Sequence, residues 1–139
     1  MEQEEKLLSA IFNVGRLIRE KIQASSSLAD FTQAEMEILK FLQGKKDITM
    51  REIADYMHIK PSSATPLINN LVKKGNLKRV QKNSDRRVVR IEITKKGLKS
   101  LQKKYKNIHK TVKHVFEGLN SKDKKALIKI FNKISNENN

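Results

Sequence analysis

The sequence predicts a mainly α-helical chain carrying one small β-hairpin, and three observations lead there. Apolar residues recur at three- and four-residue steps along most of the 139 residues, the period drops to two between Leu77 and Ile93, and Thr-x-x-Glu signals stand at two helix starts. A chain of this length suits one domain, residues 1–139, whose core is large enough to stand without disulfides or metal.

Residues 5–24 place Leu7, Leu8, Ile11, Phe12, Ile18 and Ile22 on one stripe of a long first helix that ends at Ser25-Ser-Ser27. Thr32-Gln-Ala-Glu35 reads as a capping box: the Thr32 hydroxyl accepts from the Glu35 amide and the Glu35 carboxylate reaches back, with Phe31 and Met36 as the apolar staple. The second helix turns Met36, Leu39 and Leu42 inward and stops near Gly44. Thr49-Met-Arg-Glu52 repeats the device, stapled by Ile48 and Ile53, and opens a short third helix with Ile53, Ala54 and Met57 inward. That helix is expected to run out near His58, since Lys60 precedes a proline and disfavours helical dihedrals. Ser62 or Ser63 is the expected N-cap of a fourth helix, which would put the missing amide of Pro66 in the first, unpaired turn. Ala64, Ile68, Leu71 and Val72 share its inner face, and Gly75 supplies its stop.

Beyond Gly75, Leu77–Gln81 and Val88–Ile93 read as strands, with Asn83-Ser84-Asp85 as the turn and Val89, Ile91 and Ile93 on one face. Thr94 caps a fifth helix, stapled by Ile93 and Leu98. Its seam of Leu98, Leu101, Tyr105, Ile108, Val112, Val115 and Leu119 runs through three heptads and calls for a helical partner. Asn120 or Ser121 opens a sixth helix with Leu127, Ile130, Phe131 and Ile134 inward.

This order contains a winged helix-turn-helix at residues 30–94, flanked by candidate dimerisation helices at 5–25 and 95–136. In such a unit the helix after the tight turn enters the major groove of duplex DNA and the helix before it braces against the backbone. At about 100° per residue, Ser62, Pro66, Asn69 and Lys73 point away from the inner face, flanked by Ser63, Thr65 and Asn70. This face is uncharged until Lys73; hydroxyls and amides suit base edges, Asn reading adenine and Ser or Thr several bases.

Charge supports a polyanionic partner. The formal net charge is +15, yet residues 1–72 carry nine basic and ten acidic side chains, whereas residues 73–114 carry sixteen basic side chains against Asp85 and Glu92 alone. Within that third the hairpin presents Lys82, Arg86 and Arg87 near its tip and Arg90 on the returning strand. A guanidinium is a planar fork that holds phosphate oxygens bidentately or enters a narrow minor groove. Asp85 opposes phosphate, so its expected use is internal, bracing wing amides or Arg87. The apolar stripes of the first, fifth and sixth helices exceed what a small winged core needs. Leu8, Ile11, Leu101, Tyr105, Ile108, Val112, Val115 and Phe131 are therefore candidate contacts to a second copy of the chain.

The helix order, Leu71-Val-Lys-Lys-Gly75 followed by Arg79, the wing Asp85-Arg86-Arg87, and Ile93-Thr94-Lys-Lys-Gly97 opening a long helix together resemble the bacterial multiple antibiotic resistance regulator (MarR) family over nearly the whole chain. The resemblance implies a homodimer joined through the first and last two helices, two recognition helices in successive major grooves of a near-palindrome, and repression. It implies Arg87 as the wing arginine aimed at the minor groove and Asp85 as its supporting acid. It also implies a small-molecule effector, often anionic and aromatic, held between the DNA-binding lobe and the dimer helices; no residue here is assigned to that role.

Other classes fit less well. The absence of cysteine removes thiol redox sensing and thiolate zinc, and suits a reducing cytoplasm. The acidic Met1-Glu-Gln-Glu-Glu5 start and the lack of a long apolar run argue against a signal peptide or membrane span, and the fifth helix lacks the broad aromatic-edged face of a lipid-binding helix. His58 stands alone and His109 and His114 lie about 140° apart on a helix, so no metal site is expected. No acid pair, phosphate loop or nucleophile constellation points to an enzyme, and no cofactor is expected. The alternative is an RNA- or ribosome-associated winged helix, which the scarcity of aromatics, five Phe and two Tyr with none in the wing, disfavours.

Overall fold

The structure, a computed structural model, describes residues 2–25, 31–82 and 85–139, without the side chains of residues 25, 82 and 85–87. Its elements run α1 (Glu2–Ser25), α2 (Gln33–Leu42), β1 (Ile48–Thr49), α3 (Met50–Met57), α4 (Pro61–Lys73), β2 (Leu77–Lys82), β3 (Asp85–Ile93), α5 (Lys95–Val115) and α6 (Ser121–Glu137). They form two compact units, Ser27–Tyr105 and Met1–Ser26 with Lys106–Asn139. The opening turns of α5, up to Tyr105, fall in the first of these units.

The winged unit is built around one core. Ile38, Leu39 and Leu42 of α2, Ile53 and Ala54 of α3, Ala64, Ile68 and Leu71 of α4, Leu77 and Ile91 of the hairpin, and Leu101 of α5 are wholly or almost wholly buried. Each large aliphatic side chain withdrawn from water in this way contributes about 1.5–3 kcal/mol. The helical stripes and the period-two strand face converge here as expected, with Val89 and Ile93 packing on the core from the same strand face as Ile91. The capping box of α2 forms in full and that of α3 by half: Thr32 and Glu35 make the reciprocal pair of bonds, and the Thr49 hydroxyl accepts from the Glu52 amide at 3.2 Å. His58 adopts a left-handed conformation (φ 54°) and ends α3.

Two expectations are corrected. The sheet has three strands, order β1-β3-β2, because Ile48 and Thr49 pair with Ile91 and Arg90 ahead of α3; a two-residue strand carries no periodicity to read. The fourth helix starts at Pro61, with Lys60 as N-cap and no side-chain capping bond, so neither Ser62 nor Ser63 is the cap. Proline is at home there because its fixed φ suits the first helical position. Pro66 consequently falls sixth in the helix, beyond the unpaired turn, and the Ser62 carbonyl has no amide at residue 66 to accept from.

The end of α4, the base of the hairpin and the start of α5 meet at one junction. Gly75, at φ +82°, closes α4: its amide donates to Val72 O at 3.0 Å and the Asn76 amide to Leu71 O at 2.9 Å. Thr94 then donates through its hydroxyl to Gly75 O at 2.6 Å and through its amide to Asn76 O at 3.0 Å, while the same hydroxyl accepts from the Gly97 amide at 3.0 Å. A Cβ on Gly97 would stand 2.2 Å from Asn76 O, a backbone atom that cannot swing aside. Gly97→Ala is therefore expected to destabilise the chain by about 1–3 kcal/mol in urea unfolding. Gly118→Ala, where nothing lies within 4 Å, should leave the midpoint nearly unchanged or raised. Equal midpoints for the two variants would refute this account of the junction.

Candidate nucleic-acid interface

The surface of α4 divides cleanly. Ala64, Ile68 and Leu71 have no exposed surface, whereas Ser62, Ser63, Pro66, Asn69 and Lys73 are exposed along the opposite side. With the cap at Lys60, the two serines stand in the first turn at the positive end of the helix dipole, a setting that favours anions. Thr65, at the edge of this face, is half-buried and internally bonded: its hydroxyl donates to Pro61 O at 2.9 Å and lies 3.2 Å from Met50 Sδ.

The two asparagines part company. Asn70 donates through Nδ2 to Glu35 Oε2 at 3.2 Å, and the same oxygen accepts from Lys74 Nζ at 3.2 Å. Glu35, 2% exposed, is thereby satisfied on both sides, since Oε1 accepts from the Thr32 amide at 3.3 Å. Burying a carboxylate is tolerable only with such compensation. The C-terminal turn of α4 is tied in this way to the N-terminus of α2, and Asn70, expected among the base contacts, spends an amide hydrogen on that tie. Asn69 instead accepts at Oδ1 from the guanidinium of Arg79 on β2, at the exposed surface.

In the hairpin, Arg90 is half-buried and donates to Asp47 O at 3.3 Å, holding the segment that leads into β1; this gives it an internal role besides the expected contact to DNA. Lys78 and Glu92 form a cross-strand pair at 3.8 Å. The backbone at 82 and 85–87 is strand, with Lys82 opposite Asp85 and a register irregularity after Gln81. The side chains of Lys82, Asp85, Arg86 and Arg87, expected to form the wing contact, lie outside the described residues.

The expected dimer contacts also separate. Leu8, Ile11 and Phe131 are 52%, 58% and 57% exposed, and Val112 is exposed as well. Ile108 and Val115 are half-buried. Leu101 is a correction: it is wholly buried in the winged core and offers no surface to a second chain, and Tyr105 packs against the same core. The strict heptad reading failed there because one helix serves two units in succession. The sixth helix departs from expectation too, since Ile130, Phe131 and Ile134 face outward and Leu127 alone of its four inward candidates is half-buried. An open apolar groove of about 520 Å³ lies between α5 and α6, with Val112, Phe116, Leu127 and Phe131 in its lining.

Glu35 is more than the cap its sequence pattern predicts, and Arg79 has a structural partner beyond its place in the family resemblance. Arg79 had a signal: strand alternation puts it on the face of Leu77, toward α4. Among the described residues no helix is long and apolar enough to cross a membrane, and no three of His, Asp and Glu gather to hold a metal.

A family model described as the MarR family matches residues 31–89. The uncharacterised HTH-type transcriptional regulator YpoP of Bacillus subtilis (strain 168) is 34% identical over 105 residues, covering 73% of this chain and 70% of that protein. The HTH-type transcriptional repressor MdtR of the same organism is 29% identical over 101 residues, 70% of this chain and 65% of its own length. Among solved structures, the YusO protein of Bacillus subtilis superposes with a TM-score of 0.80 at 19% identity, covering 97% of this chain and 96% of that one, which speaks for the fold.

The Glu35 tie has a measurable consequence. Glu35→Gln keeps the shape but weakens the charge-assisted bonds to Lys74 and Asn70, and is expected to lower stability by about 1–3 kcal/mol in urea unfolding. An unfolding midpoint matching that of the parent chain would show that the buried carboxylate contributes nothing to holding α4 on α2.

Proposed function

The chain belongs to the MarR family, and from that premise we propose that it is a sequence-specific regulator of transcription that binds a near-palindromic duplex site as a homodimer and represses. The observation that carries the reading is the surface of α4: a fully buried inner face opposite an exposed face of Ser62, Ser63, Pro66, Asn69 and Lys73. A helix meant only for solvent would carry Lys and Glu; small hydroxyls in the first turn and the Asn69 amide further along fit base edges and phosphate.

The wing residues Lys82, Asp85, Arg86 and Arg87 stay in the proposal on the strength of charge. Residues 73–114 hold sixteen of the thirty basic side chains, and neutralising phosphates with them makes affinity fall steeply with salt. Ser62, Ser63, Thr65, Pro66, Asn69, Asn70 and Lys73 belong to the same face, Thr65 and Asn70 as supports. Repression is supported by the name of MdtR. Release by a small effector follows from the family resemblance, and cytoplasmic placement from the cysteine-free composition.

Dimerisation is supported by unpartnered apolar surface. Leu7, Leu8, Ile11 and Phe12 of α1 and Ile128, Ile130, Phe131 and Ile134 of α6 are each more than half exposed in the single chain. A soluble monomer rarely leaves so much apolar surface to water. Two-fold association also doubles the phosphate contacts, which a two-fold-symmetric duplex site would match.

Selection of genomic fragments with the purified protein should return a two-fold-symmetric duplex, and Arg87→Ala should weaken every duplex by about 1–3 kcal/mol at physiological salt. Equal affinity for scrambled duplex or single-stranded RNA would remove the reading. The double variant Ile11→Asp, Phe131→Asp should sediment as a monomer and lose cooperative binding to both half-sites; a dimer of undiminished stability would place the interface elsewhere.

A further inference from the structure

Resting on the reading of α4 as the recognition helix, we infer that Arg79 and Asn69 form one donor-only reading head that selects guanine at the base pair they meet. Arg79 is on β2 two residues after Leu77, on the same strand face, and its cross-strand partner is the fully buried Ile91. Arg79 therefore sits where that face passes from core to surface, and its guanidinium reaches across to Asn69 on the exposed side of α4.

The chemistry of the pair follows from what each group can do. A guanidinium has N–H donors and no acceptor, so the carboxamide of Asn69 must turn its oxygen toward Arg79, whichever way the amide is drawn. Reading adenine requires both ends of an asparagine: Oδ1 accepting from the N6 amino group and Nδ2 donating to N7. With Oδ1 engaged, an N6 amino group approaching its remaining lone pair would bring a second donor up beside a cation. What the pair still offers is the Nδ2 hydrogens and the unused guanidinium hydrogens, with Lys73 one turn further along the same helix face. Guanine presents two acceptors, N7 and O6, on its major-groove edge and matches that set.

Neighbouring groups leave the head intact. Asn70 is turned to Glu35 and does not compete. Glu35 and Glu92 pair with Lys74 and Lys78, so these two acids of the unit are already engaged with other cations. A salt bridge would fix Arg79 but cancel its charge; the carboxamide fixes it and leaves the charge for the base.

The test uses the full-length protein and the duplex it selects, with each guanine in turn replaced by 7-deazaguanine, which pairs normally but lacks the N7 acceptor. The parent chain should lose affinity at one guanine per half-site, by less than the roughly tenfold to hundredfold span of a full bidentate base contact, because O6 remains. Arg79→Ala should be nearly indifferent to the same replacement, Asn69→Ala should blunt it, and the double variant should be little worse than Arg79→Ala alone. Arg79→Lys, which keeps charge without the fork, should also lose discrimination at that guanine. The inference is overturned, with DNA binding intact, if adenine is preferred at the Asn69-dependent position, or if Arg79→Ala weakens all duplexes equally while each guanine keeps its full effect, the behaviour of a phosphate contact. Absence of any duplex preference would overturn it together with the reading it rests on. Thermal unfolding of the variants is expected to match the parent, since both side chains are exposed.

Discussion

Four residues hold this molecule's working parts in register. Thr94 bonds at once to the carbonyls of Gly75 and Asn76, where α4 ends, and to the amide of Gly97, where α5 begins. The candidate recognition helix, the base of the hairpin and the long helix thus share one small hydrogen-bonded junction, closed by a glycine that has no room for a Cβ. Lys96 adds a bond from Nζ to Lys74 O at 2.7 Å across it. If the hairpin base shifted, the two faces proposed to meet DNA would shift relative to each other.

The second restraint acts on the other side of α4. Glu35 begins as a cap on α2 and ends as the acceptor that holds Asn70 and Lys74, so one buried carboxylate both starts a helix and anchors its neighbour. Such a group is costly to bury alone and stabilising when fully bonded. Its effect on function is indirect: it turns one asparagine inward and leaves the other to Arg79, so adjacent identical residues acquire opposite roles.

Electrostatics and apolar surface divide along the chain. The winged unit from Ser27 to Tyr105 has a complete core of its own, whereas the terminal helices display isoleucine, leucine and phenylalanine to solvent. The winged unit carries a core of its own and the terminal helices expose apolar side chains, and both features accord with the proposed association of two copies.

How much of this the chain reveals before it folds can be argued from particular residues. Local signals survive because their physics is local: the Thr32–Glu35 box, the Thr94 cap, the Gly75 stop and the inner faces of α2, α3 and α4 depend on residues within four or five positions. The start of α4 is not legible in this way, because two serines have the character of caps while Pro61 needs none. The strand at Ile48–Thr49 is made by its partner β3, not by its own sequence. Leu101 reads as one more heptad position, yet it lies in the winged core, since which unit a helix face serves is decided by what folds against it. Helix order, the inner faces of α2, α3 and α4, the caps at Thr32, Thr49 and Thr94 and the concentration of positive charge were determined by the sequence itself, through spacing and side-chain type. The tie from Glu35 to Asn70, the partnership of Arg79 with Asn69 and the outward turn of α6 were decided only by tertiary structure, because each joins or exposes residues whose environment is set by distant segments.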